Sequence, residues 1–239
     1  MPNTAHIAQA APAINVWQQD AVDWLRMQPN QSVNLIVTDP AYESLEKHRA
    51  IGTTTRLKQS DASSNTWFPT FPNDRYLDLF IEAYRVLEKN SHMYVMCDQE
   101  TGLLIKPIAE QAGFKFWKFI TWDKLSIGMG YHYRNQTEWV MFLEKGKRRL
   151  HDLSMPDVLQ HKRIHKGYPT EKPPGLYEDL IEQSSAPGEV VADLFFGSGN
   201  GLLAAARLGR HAIGTDIAPA AHQFLASQAD TQGIALNHC

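Results

Sequence analysis

The stretch Val190-Val-Ala-Asp-Leu-Phe-Phe-Gly-Ser-Gly-Asn-Gly201 passes from an apolar run through a glycine-rich turn towards a helix. Its three glycines permit positive φ and let a ligand approach the backbone closely. Free N–H groups at a helix start favour anionic or polar ligand groups. The next apolar run ends at Asp216, and an acidic residue about 20 positions after such a turn commonly binds ribose hydroxyls. These features favour nucleoside binding over a purely structural turn.

Apolar runs and helical periods alternate along most of the chain. Strands are predicted at 14–17, 33–38, 92–97, 114–122, 137–143, 190–194 and 211–215. Helices are predicted at 20–27, 75–88 (capped by Asn73 or Asp74 and ended by Asn90), 101–111, 173–183, 202–208 and 219–229. Strands separated by helices predict an α/β fold with a mostly parallel twisted sheet and helices on both faces. Because the alternation lapses over 114–143, we expect an antiparallel strand pair at one edge.

The composition predicts a cytoplasmic globular protein. The chain has 239 residues, of which 43% are hydrophobic, and this suits one α/β domain with a sizeable core. Only two cysteines occur, Cys97 and Cys239, so neither a disulfide framework nor a zinc cluster is expected and a reducing compartment fits best. The N-terminus lacks a signal pattern, and no apolar run approaches the length needed to span a membrane.

Charge gives a local rather than a global indication of partners. The formal net charge of −3 carries no overall signal for nucleic acid. Two basic groups stand out, although solvated loops explain either of them about equally well: Lys145, Lys147, Arg148 and Arg149, and then Lys162, Arg163 and Lys166. His161 and His165 lie within the second group at i,i+4 spacing, but no third ligand is evident, so no metal site is predicted.

A second apolar run, 33–38, leads straight into Asp39-Pro40-Ala41-Tyr42. Proline ends strands and Asp-Pro is common turn chemistry, so this tetrapeptide alone predicts no more than a turn. The polar stretch 43–73 that follows has no period, and a segment this long inside a compact domain is usually functional or disordered. Arg49, Arg56 and Lys58 lie in this stretch together with aromatic residues.

Three segments, taken in order, resemble the permuted β group of amino-methylating DNA methyltransferases. Asp39-Pro-Ala-Tyr42 is similar to the catalytic D-P-P-Y-type tetrapeptide of that family, and Tyr168-Pro-Thr-Glu-Lys-Pro173 is similar to its H-P-T-x-K-P segment. The stretch from Asp193 to Gly201 resembles its D-P-F-x-G-S-G-T-T loop, and 133–146 resembles a later strand with a glutamate. This chain departs from the family pattern at Ala41, Tyr168, Leu194, Asn200 and Gly201.

The resemblance covers about 16–217 and implies a Rossmann-like methyltransferase fold. It implies one domain over 1–239, with 13–42 and 75–146 as the catalytic half and 169–239 as the cofactor-binding half. The inserts 43–74 and 147–168 are then the expected DNA-recognition parts. Double-stranded DNA is the implied partner, and so small a recognition region leads us to expect a homodimer.

The resemblance also implies residue roles. Asp39 and the carbonyl of Pro40 are expected to accept hydrogen bonds from the target amine, and Tyr42 to stack on the extruded base. S-adenosylmethionine is the implied cofactor, with contacts expected from Asp20, Thr170, Lys172, Asp193, Phe195, Gly197, Ser198, Gly199 and Asp216. Asp20 as a helix N-cap and Lys172 as a surface lysine are the alternatives for those two residues. The DNA contacts are expected from Arg49, Arg56, Lys58 and the two basic groups.

Methylation of adenine N6 in DNA is the predicted reaction. Cytosine-N4 methylation is the nearest alternative, although Ser stands more often at the position of Asp39 in such enzymes. RNA or protein-glutamine methylation uses N-P-P-Y more often, and the permuted order argues against both. A catalytically silent DNA-binding regulator would not need Asp39 together with the glycine turn. A nicotinamide oxidoreductase is disfavoured because the turn lacks the third glycine at the dinucleotide spacing.

Overall fold

The computed structural model describes residues 13–44, 70–128 and 133–239. The strands are β1 (Ile14–Trp17), β2 (Val33–Thr38), β3 (Leu87–Cys97), β4 (Lys115–Asp123), β5 (Thr137–Lys145), β6 (Val158–Gln160), β7 (Val190–Asp193), β8 (His211–Thr215) and β9 (Leu236–His238). The helices are α1 (Ala21–Met27), α2 (Tyr76–Val86), α3 (Gln99–Gln111), α4 (Pro174–Ser184), α5 (Asn200–Arg207) and α6 (Pro219–Gln232). The predictions for Arg49, Arg56 and Lys58 lie outside these ranges.

All nine strands form one sheet in the order β6-β4-β5-β3-β2-β7-β8-β1-β9. Only β5 runs against its neighbours, pairing antiparallel with β3 and β4, while the remaining pairs are parallel. The mostly parallel sheet and the antiparallel pair towards one side are therefore confirmed. The three-residue strands β6 and β9, one at each edge, were not predicted, because so short a run shows no period.

Helices cover both faces of the sheet, as predicted. Helices α1, α2 and α3 bury Trp24, Phe80 and Ile105 in one core, and helices α4, α5 and α6 bury Leu180, Leu203 and Leu225 in the other. Successive residues of β7 alternate between the two cores, as the pleat of a strand requires: Val191 faces one and Ala192 the other. No helix of the described ranges is long and apolar enough to cross a membrane.

The junction between α2 and β3 corrects two predictions. The helix ends at Val86 rather than 88, because buried Leu87 turns extended and pairs with Val33 of β2. Asn90 is left-handed, with φ of 64°, but it lies inside β3 instead of ending the helix. At the other end, neither predicted cap is used: 73–75 is a 3-10 turn, α2 has no side-chain cap, and Asn73 Nδ2 donates to Glu43 at 2.8 Å.

The centre of the sheet is the point where its strand order reverses. From β2 the chain moves to β3 on one side, and from β7 it moves to β8 on the other. In open α/β sheets, ligands bind in the crevice at the carboxyl ends of the strands at such a reversal. The turns after β2 and β7 meet at this crevice, and these turns carry Asp39 and the predicted cofactor loop.

Candidate active site

A cavity of about 400 Å³ lies at the carboxyl ends of β2 and β7. The turn after β2 lines it with Asp39, Pro40 and Tyr42, and the turn after β7 lines it with Phe195 and Gly197. Other predicted cofactor residues on its wall are Asp20, Thr170, Lys172, Ser198 and Asp216. The structure thus brings the predicted catalytic residues and most of the predicted cofactor residues, which are far apart in sequence, to one cavity.

The turn after β2 is fixed by the segment that precedes α2. The carbonyl oxygen of Ala41 accepts a hydrogen bond from Phe71 N at 2.6 Å, and Tyr42 forms an isolated parallel bridge with the same residue. Tyr42 is only 7% exposed. Burial, with Glu138 and Asp39 nearby, raises the pKa of Tyr42 well above its ordinary value, so the phenol stays neutral. The ring therefore forms a rigid, uncharged part of the cavity wall.

Asp39 is engaged in a group of four charges that the sequence did not predict, in which Lys124 and Lys172 are buried and Asp39 and Glu138 are half-buried. Lys172 Nζ lies 2.6 Å from Asp39 Oδ2 and 3.7 Å from Glu138 Oε2. On the far side, Lys124 Nζ lies 3.1 Å from Glu138 Oε1. We call these four residues the charge quartet. Two carboxylates and two ammonium groups balance in formal charge, and their pairing offsets the cost of removing them from water.

The pKa values in the charge quartet follow from burial and pairing. Burial raises the pKa of Asp39, and the Lys172 ammonium opposes that rise. For Lys172, burial lowers the pKa, but Asp39 and Glu138 together outweigh burial and hold it above its ordinary value. Burial likewise raises the pKa of Glu138, and Lys172 and Lys124 reverse this, leaving it below its ordinary value. Lys172 is therefore charged at neutral pH.

The end of β7 presents a second acid, Asp193. Its Oδ1 accepts hydrogen bonds from Thr38 Oγ1 at 3.0 Å and from Phe195 N at 3.2 Å. Its Oδ2 is buried and has no hydrogen-bond partner among the described residues. Burial raises the pKa of Asp193 to about 7. A buried carboxylate oxygen without a partner is costly, and a cationic ligand group would relieve that cost.

The space beside Asp193 fits the cofactor that the resemblance implies. A Cβ at Gly201 would meet Asp193 Oδ2 at 3.0 Å and the Tyr177 ring at 2.9 Å, so Asp193 and Tyr177 can pack this closely on the start of α5 only because residue 201 is glycine. The primary ammonium of a methionine moiety is a group of the right charge for the unpaired oxygen. The residues present therefore fit S-adenosylmethionine. Neither Asp193 nor Gly199 lies directly on the cavity wall.

Asp216 stabilises the glycine turn by accepting a backbone hydrogen bond from it. Gly197 and Gly199 have φ of 48° and 79°, in the left-handed region that glycine enters without strain. Gly197 N donates to Asp216 Oδ2 at 2.9 Å, and Ala218 N donates to Asp216 Oδ1 at 2.8 Å. Burial raises the pKa of Asp216, while these two N–H groups oppose the rise. The carboxylate retains lone pairs for ribose hydroxyls on its cavity side.

The loop before α4 closes the cavity opposite the glycine turn. Glu171 accepts from Tyr168 N at 3.0 Å and from Asn200 Nδ2 at 2.8 Å, and the same amide also donates to Lys172 O at 2.9 Å. Thr170 has φ of 57°, which is a strained conformation for a β-branched residue. Asn200, one of the departures from the family pattern, thus ties the start of α5 to this loop.

Asp20 confirms its predicted capping role and shows a second contact. Its carboxylate accepts from Val22 N at 3.0 Å and Asp23 N at 3.2 Å, capping α1. Arg75 binds both carboxylate oxygens, at 2.7 and 2.8 Å. The hydrogen bonds from Arg75 lower the pKa of Asp20. The guanidinium also stands 5.3 Å from the centroid of Phe71, so the cap and the aromatic wall are joined.

The two basic groups lie in different places. Lys145 Nζ donates to the carbonyls of Tyr84 and Leu87 at 2.6 Å, and Arg148 pairs with Glu189 at 2.6 Å, both at the end of β5 away from the cavity. In the second group, Arg163 lines the cavity. The remaining residues of both groups are exposed: Lys147 and Arg149 in the first group, and Lys162 and Lys166 in the second. No described group of three or more His, Cys, Asp or Glu side chains could hold a metal ion.

Several residues of the cavity wall were missed by the sequence reasoning. They are Phe71, Arg75, Trp122, Glu138, Tyr168, Glu171 and Tyr177. Trp122 and Glu138 could have been found, because they lie at the adjoining ends of two predicted antiparallel strands, on the same sheet edge as Asp39. Phe71 could not, because it packs edge-to-face on Phe195 at 5.1 Å across more than a hundred residues of sequence.

Sequence and structure comparisons place the chain among known proteins. The family model described as DNA methylase matches residues 33–228. The type II methyltransferase M.HhaII of Haemophilus parahaemolyticus is 23% identical over 208 residues, covering 84% of this chain and 89% of the relative. The matched region includes the tetrapeptide after β2, the loop before α4 and the glycine turn.

Solved structures share the fold. The structure of M1.HpyAVI in complex with SAM superposes with a TM-score of 0.68 at 23% identity, covering 90% of this chain and 99% of the other. The PvuII DNA methyltransferase, described as cytosine-N4-specific, superposes with a TM-score of 0.64 at 16% identity, covering 95% and 97%. At these identities the superpositions support the Rossmann-like fold.

Proposed function

Because the chain belongs to the N6/N4 DNA methylase family, we propose that it transfers a methyl group from S-adenosylmethionine to N6 of an adenine in DNA. The observation that carries this proposal is the single cavity shared by the Asp39 turn and the glycine turn. A methyl donor and an amine acceptor must meet with their reacting atoms about 3–3.5 Å apart. Neighbouring parallel strands that end at one crevice provide such a meeting point.

The acceptor side of the reaction depends on Asp39. The exocyclic amine of adenine is a weak nucleophile, because its lone pair is delocalised into the ring. Within the described ranges, Lys172 occupies Asp39 Oδ2, and the other oxygen is available to accept one N–H of the amine. The Pro40 carbonyl is the proposed second acceptor, since that of Ala41 already bonds Phe71 N. Two acceptors draw the nitrogen towards a tetrahedral geometry and expose its lone pair.

The donor side depends on the turn after β7. When bound, S-adenosylmethionine supplies an electrophilic methyl group on a sulfonium. Asp193 pairs with the ammonium of the methionine moiety, Asp216 accepts ribose hydroxyls, and Phe195 packs against the cofactor base. Lys172 was expected to contact the cofactor, yet its ammonium lies on Asp39, so Thr170 is the better candidate for a contact with the methionine carboxylate.

The target base has to leave the duplex to reach this cavity, as it does in methyltransferases generally. Tyr42 presents its ring to the cavity and is the proposed stacking face, an interaction worth about 1–3 kcal/mol per base. Arg163 at the cavity wall and the exposed Lys162 and Lys166 are the proposed phosphate contacts of the described part of the chain. These contacts set position, while base readout belongs to segments that approach the grooves.

Nucleoside analysis of DNA tests the proposal. DNA from cells expressing the wild type should contain N6-methyladenine, and DNA from cells expressing Asp39→Ala should not. N4-methylcytosine in its place would assign the alternative base. The absence of both, with purified protein that still binds cofactor, would contradict methyl transfer altogether. Modification-sensitive sequencing of the same DNA gives the recognition site.

We further propose that the protein acts on DNA as a homodimer, since the described recognition insert 147–168 is small. A second subunit would extend the contacted length of duplex. Analytical ultracentrifugation of the DNA-bound protein should give the mass of two chains per duplex. A monomer mass that does not change with concentration would contradict the dimer.

A further inference from the structure

Three members of the charge quartet line the cavity, namely Asp39, Glu138 and Lys172, and the proposed reaction uses only Asp39. Lys172 is 7% exposed and Lys124 is 8% exposed, although lysine is almost never buried without a strong reason. Neither residue is needed to end a strand or cap a helix. Lys172 contacts Asp39 directly, and Lys124 is linked to this pair through Glu138, which indicates a role in the chemistry of the Asp39 carboxylate.

We propose that Lys172 and Glu138 are positioning residues that act in opposite directions on Asp39: Lys172 keeps Asp39 ionised and fixes its Oδ2, and Glu138 limits how strongly Lys172 does so. This inference rests on the proposed function, because Asp39 is useful as an acceptor only if an amine is to be methylated. A protonated Asp39 would present a donor to the amine instead of a second acceptor.

Geometry supports the role of Lys172. Its ammonium is 2.6 Å from Asp39 Oδ2, which is the distance of a charge-assisted hydrogen bond. The bond fixes the rotation of the carboxylate, so that one oxygen faces the ammonium and the other remains for the amine. Lys172 is itself held in place, since its backbone carbonyl accepts from Asn200 Nδ2 at 2.9 Å.

Geometry also supports an opposing role for Glu138. It shares Lys172 with Asp39, at 3.7 Å, and it is drawn towards Lys124, at 3.1 Å. A carboxylate near a second carboxylate makes ionisation harder for both. Glu138 thus weakens the hold of Lys172 on Asp39, and Lys124 keeps Glu138 itself ionised. The result is an acceptor that is charged but still available to the amine.

Other groups that titrate face the charge quartet from neighbouring elements. The charged ones are Arg163 of the cavity wall and Asp193 at the end of β7. The neutral ones are a thiol and three phenols whose pKa values burial raises: Cys97, Tyr42, Tyr76 and Tyr177. Asp193 repels a charge on Asp39, and Arg163 favours a charge on Glu138. Neither contacts Asp39 directly in the way that Lys172 does.

The test is the pH dependence of kcat under saturating cofactor and DNA, measured for matched variants. Lys172→Met should move the acid limb to higher pH by about one to three units, because an opposite charge at this distance shifts a carboxyl by that amount. At pH values below the acid limb, each pH unit of this shift lowers kcat about tenfold. Glu138→Gln should move the limb the other way, to lower pH.

Two controls separate this role from simple structural damage. Lys172→Arg keeps the charge and should restore most of the wild-type acid limb. Lys118→Met removes a lysine whose ion pair with Asp157 is exposed on β4, and it should leave the profile unchanged. If Lys172→Met instead weakens S-adenosylhomocysteine binding at every pH while the acid limb stays in place, Lys172 is a ligand of the cofactor and the inference is overturned.

A second readout needs neither DNA nor cofactor. The carboxyl carbon of Asp39 can be followed by NMR in aspartate-labelled protein, with the signal assigned by its loss in Asp39→Asn. Its titration midpoint should rise in Lys172→Met and fall in Glu138→Gln, and equal midpoints in all three proteins would contradict the inference. Because this titration does not depend on methyl transfer, an inactive wild type would refute the proposed function without deciding the charge-quartet result.

Discussion

Two polar groups lie at opposite ends of the sheet, and strand β5 contributes one glutamate to each of them. Near the start of β5, Glu138 belongs to the charge quartet, and six residues later Glu144 faces the same side. Lys172 lies just before α4, and Ser184 is its last residue. We call the second group, formed by His92, Tyr94, Glu144 and Ser184, the closed cluster.

The closed cluster resembles a catalytic constellation by composition alone. Ser184 Oγ lies 2.8 Å from His92 Nδ1 and 2.7 Å from the Tyr94 hydroxyl, and Glu144 lies 3.7 Å from His92 Nε2. Trp117 Nε1 donates to the same glutamate at 2.9 Å. None of the cluster's four side chains lines the cavity, and none is left without a partner. A serine, a histidine and an acid in contact therefore do not make a site where substrate has no access.

The difference between the groups is access, not polarity. Asp39, Glu138 and Lys172 of the charge quartet line the cavity, and Asp193, which precedes the lining residue Leu194, has a carboxylate oxygen without a partner among the described residues. The closed cluster instead uses its hydrogen-bonding capacity internally. Buried groups that are fully satisfied rigidify a core, and groups held with spare capacity bind or react. Substitutions in the two groups should accordingly separate activity from stability.

The largest effect is expected at Asp39. Asp39→Ala should reduce kcat by about 10²–10³-fold or more, the size seen when one preorganised polar contact to a transition state is lost. Transfer of labelled methyl groups to DNA measures this. S-adenosylhomocysteine binding should persist, and Glu144→Gln, at the other end of β5, should keep kcat. Wild-type activity in Asp39→Ala would contradict the proposed difference in function between the charge quartet and the closed cluster.

Acid sensitivity of stability should arise from the closed cluster. Burial lowers the pKa of His92 from 6.5 to about 4, with Glu144 opposing. The unfolded chain therefore binds a proton that the native chain excludes between these values. Stability that is full above pH 6.5 should fall by up to about 3 kcal/mol as the pH drops to 4. The free energy of unfolding, measured in urea at several pH values, should depend less steeply on pH in His92→Gln than in the wild type over this window. His211→Gln, which changes an exposed residue, should follow the wild type.

Removal of the shared hydroxyl tests the closed cluster at constant pH. Ser184→Ala takes away the partner of both His92 and Tyr94, and unsatisfied buried groups cost about 1–3 kcal/mol. The midpoint of urea unfolding should fall accordingly, with kcat unchanged at temperatures where the variant is folded. Ser154→Ala, on an exposed turn, should stay within about 0.5 kcal/mol. A loss of kcat in folded Ser184→Ala would show that the cluster is not merely structural.

Asp216 is an intermediate case, since it lines the cavity and is also engaged with two backbone N–H groups. Asp216→Ala should weaken S-adenosylhomocysteine binding by about 10–100-fold, which corresponds to one or two hydrogen bonds to a charged group. Calorimetric titration measures this, and kcat at saturating cofactor should change less. If kcat fell while S-adenosylhomocysteine binding stayed unchanged, Asp216 would act in methyl transfer, as proposed for Asp39, and not in cofactor binding.

The sequence was informative where a local pattern locates a strand end. Asp216 was predicted because an apolar run ends at it, whereas Asp39 and Asp193 were predicted because their segments resemble family motifs. All three follow or end strands, and parallel strands bring such positions to one edge. The contact of Lys172 with Asp39 spans 133 positions. It depends on how the loop before α4 lies over β2, and no local pattern encodes this. The same limit applies to Ser184 and His92, and it explains why the closed cluster was not predicted.

Thr38 gives the adjacency of β2 and β7 a further meaning. Its hydroxyl donates to Asp193 at 3.0 Å and accepts from Leu194 N at 3.1 Å, which clamps the ends of the two strands together. Neighbouring strands stand about 4.8 Å apart, a spacing that no side-chain substitution can alter. The spacing of the strands thus fixes the distance between the turn after β2 and the turn after β7. Residues in the turn after β2 or in the turn after β7 could therefore change during evolution while the distance between the two turns stayed the same.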